Sequence, residues 1–419
     1  MQQETQLRYE GLIKDDRIHG SLYTDPRIFE EELEKIFYHG WVFIGHDSEI
    51  PKPGDFITRS IGRQPVVMVR GKDGDISVLL NRCAHRGSTV CAAERGNARV
   101  FTCPYHGWTY DLSGTLLSAS YAGAYDQTFD KQAHGLPRAS RVGSYRGFVF
   151  ACFGQESMSL DDHLGSAKKL IDRACDLSPE GEIELTAGWV RHRFHANWKM
   201  LPENDTDGYH LGFTHAGFIK VIQSQYENFT VDENKVDGVL RDWGNGHTEI
   251  DFAQGYKRPF DWFGGGPEGK FAHYLSAMEQ HYGRAAAQQR SFDGPPHAII
   301  FPNLFLAEMN IVIFQPVRVD ECIQWHTPMF LKGVPEFNTR LLRQSEGALG
   351  PASFIVPEDA TIASRNQIGL EARTPEWLEV SRGAHREQVD SGGRRVSHLT
   401  DETTNRGFWR HYRNVMDAR

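Results

Sequence analysis

Two short stretches decide the fold of the first part of this chain: Cys83-Ala84-His85 and, after 17 further residues, Cys103-Pro104-Tyr105-His106. Each stretch holds a cysteine and a histidine a few positions apart. Single cysteines and histidines are mostly core residues, but four ligand types in two tight pairs rarely arise from packing. Two thiolates and two imidazoles can bind one tetrahedral zinc ion. They can also bind a two-iron cluster in which one iron takes both sulfurs and the other both nitrogens.

The order of the ligands bears on which metal centre this is. In the pattern C-x-H-x17-C-x2-H, each pair contains one cysteine followed by one histidine. Zinc fingers tend to group the cysteines first and the histidines last, whereas the mixed order is typical of a Rieske [2Fe–2S] centre. We therefore predict that Cys83, His85, Cys103 and His106 bind such a cluster, which carries one electron at a time, and zinc stays the alternative.

Strand-like segments surround both pairs. Apolar residues cluster at 56–58, 66–69 and 76–80, and an Asp73-Gly74 turn separates the last two segments. This layout places each ligand pair on a loop at the tip of a hairpin. The sequence therefore predicts a small all-β domain, which we place at residues 41–155.

Helical and strand-like patterns are mixed in the rest of the chain. Asp25-Pro26 and the apolar residues that follow predict a capped helix within an N-terminal segment, residues 1–40. We expect an α+β domain at residues 156–419, with the N-terminal segment packed against it. The strand-like stretches of that domain lie near 184–195, 298–317 and 322–331, and its last segment, 408–416, has helical spacing.

The composition is that of an ordinary soluble globular protein. The chain has 419 residues, enough for two domains, with 39% hydrophobic and 24% charged residues. No apolar run is long enough to cross a bilayer, and the first residues lack an export signal, so we expect a cytoplasmic protein with no membrane partner. Six cysteines do not make a disulfide framework, and a net charge of −9 gives no reason to expect nucleic acid.

A second group of ligand types lies between Glu203 and His215. If residues 203–210 are helical, Asp207 and His210 share a face, and a bend near Gly212 is needed to aim His215 at the same point. Two histidines and one carboxylate form the facial triad of a non-haem Fe(II) oxygenase, which leaves positions open for oxygen. By itself H-x4-H is weak, and a solvated helix with two incidental histidines is the alternative.

Taken together, the two groups make the chain resemble the alpha subunit of the Rieske non-haem iron aromatic ring-hydroxylating oxygenases over nearly its full length. The resemblance implies an N-terminal all-β Rieske domain and a C-terminal α+β catalytic domain, whose antiparallel sheet is covered by helices in the helix-grip manner. The matching stretches are Asn81–Gly87, Cys103–Trp108, Asn197-Trp198-Lys199, Glu203-Asn204, Asp207-x2-His210-x4-His215, and Gly350-Pro351-Ala352 ahead of Glu358-Asp359.

The resemblance also implies the ligands of a second metal. It makes His210, His215 and Asp359 the ligands of a mononuclear Fe(II). The adjacent Glu358 is chemically competent and stays an alternative third ligand, although Gln367 and Gly369 keep the family's offset from Asp359.

Asp207 has two implied roles in this resemblance. One turn before His210, its carboxylate is placed to orient that imidazole. In the family the matching aspartate also bridges to a cluster-binding histidine of a neighbouring subunit, here His106, which implies an alpha-subunit homotrimer. A helix-surface aspartate without such a role is the alternative.

The resemblance implies a reaction and its partners. The chain would be a terminal oxygenase that uses O2 and electrons from a separate NADH-dependent reductase, with or without a ferredoxin, to hydroxylate an aromatic ring, as a rule to the cis-dihydrodiol. Residues 350–354 and 406–416 are most similar to the branch acting on aromatic carboxylates such as benzoate, salicylate and terephthalate. Members of that branch commonly carry a small beta subunit in an α3β3 assembly. The alternatives are a Rieske monooxygenase or demethylase of a non-ring position, and a non-catalytic Rieske electron-transfer protein.

An acidic substrate needs an anchor, and a guanidinium matches a carboxylate in bidentate geometry. The arginines considered are Arg365, Arg394, Arg395 and Arg406. The apolar candidates for the pocket wall are Leu201, Leu211, Phe213, Ile299, Phe301, Phe305 and Phe354, for each of which core packing is an equal alternative.

Overall fold

The computed structural model describes residues 8–155, 158–225, 238–263 and 269–418. The chain divides into two units, each with its own core. The cluster unit comprises Leu33–Leu160 with Glu184–Thr186, and the larger unit comprises the described residues of Met1–Glu32, Asp161–Ile183 and Ala187–Arg419. The predicted domain limits at residues 40/41 and 155/156 stay a prediction.

The strands, in chain order, are β1 (Arg17–His19), β2 (Val42–His46), β3 (Asp55–Ile61), β4 (Gln64–Arg70), β5 (Ile76–Leu80), β6 (Arg95–Asn97), β7 (Phe101–Thr102), β8 (Thr109–Tyr110), β9 (Leu116–Ser118), β10 (Arg141–Tyr145), β11 (Phe148–Cys152), β12 (Ile183–Glu184), β13 (Val190–Phe194), β14 (Val239–Gly244), β15 (His247–Asp251), β16 (His297–Ile300), β17 (Leu304–Ala307), β18 (Asn310–Arg318), β19 (Glu321–Pro328), β20 (Phe330–Leu331), β21 (Trp377–Glu379), β22 (Gln388–Val389) and β23 (Arg395–His398).

The α-helices are α1 (Ser21–Thr24), α2 (Pro26–Glu32), α3 (Leu160–Leu164), α4 (Lys168–Cys175), α5 (Met200–Asp205), α6 (Leu211–Thr214), α7 (Ala216–Gln225), α8 (Ala272–Tyr282), α9 (Arg284–Asp293), α10 (Pro335–Leu349), α11 (Ile355–Gly369) and α12 (Thr403–Asp417). A π-helical segment, Leu33–Tyr38, follows α2. No helix within the described ranges is long and apolar enough to cross a membrane.

Antiparallel strands build the cluster unit. They form sheets with the orders β5-β4-β3-β6, β7-β8-β9 and β10-β11-β2. The run Val66–Val69 in β4 is buried at every position, which explains why it reads as a continuous apolar stretch rather than an alternating one. The predicted strands at 56–58, 66–69 and 76–80 therefore exist, as β3, β4 and β5.

One long antiparallel sheet organises the larger unit. Its strand order is β13-β19-β18-β17-β16-β15-β14-β23-β22. The predicted stretch 298–317 is a meander, because the chain turns after β16 and after β17. The predicted closing helix is present as α12, with Phe408, Tyr412 and Met416 buried on one side.

Helices cover one face of this sheet. By register His297 lies opposite Ala307, which lies opposite Asn310, so His297 and Asn310 project from the same face. On that face His297 Nε2 donates to the Asp205 carbonyl of α5 over 2.7 Å, and the Ser345 hydroxyl of α10 contacts Asn310 Oδ1 at 2.5 Å. The same face therefore supports α5, which leads into the second ligand group, and α10, which precedes the helix that carries Asp359.

A buried ion pair explains part of the Asn197-Trp198-Lys199 motif. Lys199 Nζ lies 2.5 Å from Glu32 Oε1, and both side chains are fully buried. Trp198 Nε1 donates to Glu32 Oε2 over 2.8 Å, and the Tyr412 hydroxyl donates to Oε1 over 2.5 Å. Because a buried charge without a partner costs several kcal/mol, these contacts fix α2 and α12 to the start of α5.

Candidate metal centres

The two cysteine-histidine pairs lie on two loops with the same backbone turn. In the first loop the Gly87 amide donates to the Cys83 carbonyl over 2.9 Å, and in the second the Gly107 amide donates to the Cys103 carbonyl over 3.0 Å. Both glycines have positive φ, 75° and 69°, which a residue with a side chain adopts at a cost. The glycine thus follows the cysteine by four positions in both loops, as the sequence pattern predicts for loop tips.

The ligand atoms meet in like pairs between these loops. The Nδ1 atoms of His85 and His106 lie 3.1 Å apart, and the Cys83 and Cys103 thiols are close enough to hydrogen-bond each other. Both cysteines are buried, whereas both histidines are half-buried. Nitrogen facing nitrogen and sulfur facing sulfur is the arrangement that a two-iron cluster needs, so the four residues fit the [2Fe–2S] group.

Hydrogen bonds reach the sulfur side of this site. The Tyr110 hydroxyl lies 3.2 Å from Cys83 Sγ and 3.2 Å from the Ala84 amide nitrogen. Burial raises the pKa of the Cys103 thiol, but the backbone amides of Tyr105 and His106 help to outweigh it, so that the pKa lies below its ordinary value. Hydrogen bonds to cluster sulfurs tune its reduction potential. Tyr110 is therefore a functional candidate that the ligand motif does not reveal.

The second ligand group lies where a helix ends early. Helix α5 ends at Asp205, so the condition that residues 203–210 form one helix is not met, and the chain bends at 206–210 rather than near Gly212. A Cβ on Gly208 would collide with the Leu399 carbonyl oxygen and side chain. The Tyr209 amide donates to Asp207 Oδ1 over 2.7 Å and holds the bend.

Three of the predicted iron ligands converge beyond this bend. One ligand atom from each of His210, His215 and Asp359 lies within 4.8 Å of the other two. The His210 and His215 Nε2 atoms are 3.2 Å apart, and Asp359 Oδ1 lies 3.2 Å from His215 Nε2 and 3.8 Å from His210 Nε2. Ligands at right angles on one metal, with bonds of about 2.1 Å, lie about 3 Å apart. The spacing therefore fits one facial metal site.

A carboxylate orients each of the two imidazoles. Asp207 Oδ2 lies 3.2 Å from His210 Nδ1, and Glu358 Oε2 lies 2.9 Å from His215 Nδ1. In this arrangement each Nδ1 carries the proton, so that each Nε2 presents a lone pair to the centre. Two facing lone pairs repel each other unless a cation lies between them. The structure thus places Glu358 behind His215, and Asp359 with the converging atoms.

The electrostatics of the site favour a positive charge. Asp359 Oδ1 is buried and has no hydrogen-bond partner within the described ranges. Burial lowers the pKa of His215, but Asp359 and Glu358 outweigh it and raise the pKa above its ordinary value. Burial and the nearby Asp359 raise the pKa of Asp205 well above its usual range. An orphan carboxylate oxygen beside two inward lone pairs fits a mononuclear Fe(II).

The structure also places the arginines and the apolar residues that are candidates for the substrate pocket. Arg406 is buried and bonds the Val380 and Arg382 carbonyls and Glu387. Arg394 pairs with Asp390 and Arg395 with Glu387, so these three arginines are engaged within the fold, whereas Arg365 is exposed on α11. Among the apolar candidates, Leu201, Ile299, Phe301 and Phe305 are buried, Leu211 is half-buried, and Phe213 and Phe354 are exposed.

Comparison with known proteins agrees with these two centres. A family model described as "Rieske [2Fe-2S] domain" matches residues 40–128, and one described as "Ring hydroxylating alpha subunit (catalytic domain)" matches residues 182–418. The chain belongs to the family of Rieske-type ring-hydroxylating dioxygenase alpha subunits.

Individual relatives extend over most of the chain. The large subunit of anthranilate 1,2-dioxygenase from Acinetobacter baylyi is 31% identical over 88% of this chain and 80% of its own length. The alpha subunit of N,N-dimethyl phenylurea N-demethylase from a Sphingobium species is 30% identical over 85% of this chain and 80% of its own length. A solved structure of naphthalene 1,2-dioxygenase with indole bound superposes with a TM-score of 0.83 at 27% identity, covering 98% of this chain and 95% of that one.

Family membership confirms several predictions made from the sequence. The chain is an oxidoreductase with an N-terminal Rieske domain and a C-terminal α+β catalytic domain. Its cofactors are a Rieske [2Fe–2S] cluster, rather than zinc, and a mononuclear iron, with NADH as the distant reductant through a reductase. The roles of individual site residues stay predictions that the geometry above supports.

Proposed function

We propose that this chain is the terminal oxygenase of an aromatic-acid dioxygenase, and that it hydroxylates the ring of an aromatic carboxylic acid with O2. The observation that carries this proposal is the trio His210, His215 and Asp359, whose ligand atoms converge within 4.8 Å in one unit while a paired-ligand site lies in the other. Two sites of different chemistry suit a reaction that needs both electrons and a place for oxygen to bind.

Each site has a defined set of holding residues. Cys83, His85, Cys103 and His106 would hold the [2Fe–2S] cluster, and His210, His215 and Asp359 the iron. When bound, the cluster supplies electrons singly and the iron offers open positions for O2. The protein contributes orientation, because Asp207 and Glu358 fix the proton of each histidine on Nδ1 and leave Nε2 for the metal.

Partners follow from the same chemistry. A separate reductase, with or without a ferredoxin, would reduce the cluster. We place Asp207 at a contact between neighbouring alpha subunits, where its carboxylate would link His210 to His106 of the next chain. This role implies an alpha-subunit trimer, with a small beta subunit in an α3β3 assembly. The working domain limits are 1–40, 41–155 and 156–419.

An aromatic carboxylic acid is the substrate class we favour. Support comes from the anthranilate dioxygenase relative, which matches 88% of the chain. The N-demethylase relative, at a similar identity, supports the second candidate, oxidation of a methyl group on nitrogen. The shared metal ligands do not separate these reactions, because the pocket decides the outcome.

A product screen tests the proposal. Metal-loaded protein, NADH and a surrogate reductase would be supplied with benzoate, 2-aminobenzoate, salicylate, naphthalene and an N,N-dimethyl phenylurea. We expect ring-hydroxylated products from the carboxylates and none from the Asp359→Ala control. If formaldehyde from the phenylurea were the only product, the proposed ring hydroxylation would be wrong and the chain would be a demethylase. Cluster turnover without oxygen incorporation from any compound would indicate an electron-transfer protein.

A further inference from the structure

Two side chains beside the mononuclear site are used by neither metal centre. His297 opens strand β16, and Glu308 lies in the turn after β17. His297 Nδ1 and Glu308 Oε1 are 4.0 Å apart. The pair lies close to the proposed iron ligands, because His297 bonds the last residue of α5 and the nearby His210 contributes to the shift of its pKa.

The tautomer of His297 is set by its neighbours. Its Nε2 lies 2.7 Å from the Asp205 carbonyl oxygen, which only accepts, so Nε2 must carry the proton. The neutral ring then presents a lone pair at Nδ1, and burial favours this form, lowering the pKa of His297 to about 4. That Nδ1 is buried and has no hydrogen-bond partner in the described part of the chain. A buried acceptor of this kind destabilises the site unless something donates to it.

The turn at Glu308 holds its carboxyl beside His297. Its backbone φ is 55°, and its amide donates to the Pro296 carbonyl over 3.1 Å, which fixes the turn beside His297. Burial raises the pKa of the carboxyl to about 7, yet 39% of the side-chain surface is exposed. The carboxyl is therefore partly open to solvent and within reach of a ligand.

Aromatic rings complete the surroundings. The His297 ring meets Phe305 edge-on at a centroid distance of 4.8 Å and Phe252 at 5.3 Å. Two apolar rings beside two polar acceptors suit a flat aromatic molecule that carries a hydrogen-bond donor. A second carboxylate is a poor fit here, because His297 Nδ1 has no proton to offer.

We infer that His297 and Glu308 select substrates whose aromatic ring carries an amino or amide nitrogen, which donates one N–H to His297 Nδ1 and another to Glu308 Oε1. A nitrogen about 2.9 Å from both atoms can bridge a gap of this size. The inference rests on the proposed function, and it narrows the substrate from aromatic acids in general to amino-substituted ones. His297 and Glu308 act as specificity-determining residues that leave the metal ligands unchanged.

The test compares two ligands of similar shape, 2-aminobenzoate and 2-methylbenzoate, which differ in donor capacity. Calorimetry on the metal-loaded protein gives both dissociation constants, and kcat/KM for both compounds is measured with the surrogate reductase. The variants are His297→Leu and Glu308→Met, which remove one acceptor each. The matched control is Glu182→Met, because that carboxylate is 63% exposed and pairs with Lys332 on the surface.

We expect the unaltered protein and the control to bind 2-aminobenzoate at least about tenfold more tightly than 2-methylbenzoate. Each variant should reduce this preference to about twofold. Equal binding of the two compounds by the unaltered protein, or a tenfold preference that survives both substitutions, would overturn the inference. If the preference holds and depends on both residues but no compound is oxidised, the proposed function fails and the inference stands.

Discussion

The two proposed metal sites are built in opposite ways. In the cluster unit, the four proposed ligands come from two loops that repeat the same turn, and the whole set spans Cys83 to His106. In the larger unit, His210 and His215 come from a bend between helices, whereas Asp359 is supplied by α11 about a third of the chain later. The first site is local in sequence, and the second exists only after the long sheet has brought its helices together.

This difference explains why a metal site is easier to predict from the sequence when its ligands are close together in the chain. A local site has to satisfy its ligand geometry within a few residues, so spacing and order carry the chemistry. A site assembled from distant segments leaves a weak local pattern, because the sheet and helices supply the geometry. We expect its supporting carboxylates, Asp207 and Glu358, to contribute for the same reason, because they contact the Nδ1 atoms of the two histidines.

The largest effect is expected from Asp359→Ala. We predict that this variant loses the mononuclear iron and at least about 100-fold of its product formation, because two histidines alone bind the metal weakly. The cluster should be retained in full, since its ligands lie in the other unit. Iron and sulfide analysis with EPR measures both centres in one sample. An unchanged iron content would place the third ligand elsewhere.

Asp207→Asn should separate metal content from electron use. We expect both centres to be retained, while product formation falls about 10- to 100-fold, because the His210 imidazole loses its charged partner. Single-turnover experiments with a pre-reduced cluster compare cluster oxidation with product formed. Normal coupling of the two would remove the bridging role that we propose for this residue.

Glu358→Gln tests the assignment of the third ligand from the other side. The carboxylate contacts His215 Nδ1 at 2.9 Å, so an amide that keeps an acceptor should weaken activity by only about tenfold and leave most of the iron bound. The matched comparison is an iron titration of Glu358→Gln and Asp359→Ala in parallel. A loss of iron as large as in Asp359→Ala would indicate that Glu358, rather than Asp359, is the third iron ligand.

Glycine substitutions compare the loops directly. Gly208→Ala should destabilise the larger unit by about 1–3 kcal/mol, because its Cβ would meet the Leu399 backbone. Gly87→Ala meets open space apart from the Arg82 side chain, so strain at a φ of 75° should cost about 1 kcal/mol. Urea unfolding measures the stability of each glycine variant, and metal analysis measures its metal content. A Gly208→Ala variant as stable as the unaltered protein would show that the bend tolerates a side chain.

A pH dependence is expected from Glu203, which supports α5 below the bend. Burial raises the pKa of this carboxyl from 4.5 to about 7, and Tyr23 and Trp409 donate to it. The folded protein therefore holds a proton that the unfolded chain releases, so this group's contribution to stability falls as the pH rises from 4.5 to 7. Relative to Glu203→Gln, we expect a loss of up to about 3 kcal/mol over that range, measured by urea unfolding. A difference that does not vary with pH would place the carboxyl's pKa near its ordinary value.

The sequence predicts more of the first site than of the second. The loop position and the cluster type follow from the spacing of Cys83 to His106 and from the order of the proposed ligands. The break in the helix after Asp205 was not predicted, because the close approach of Leu399 to Gly208 depends on a segment far along the chain. The supporting role of Glu358 was hidden for a similar reason, since a residue beside a ligand looks like a rival ligand until its contact is seen.

Metal analysis tests the central claim most directly. We propose that each chain carries one cluster on loop tips and one separate iron between helices. Purified protein should then contain about three irons and two acid-labile sulfides per chain, with a Rieske EPR signal after reduction, and His210→Ala should lose one iron and no sulfide. Zinc in place of the cluster, or an iron content that His210→Ala leaves unchanged, would contradict it.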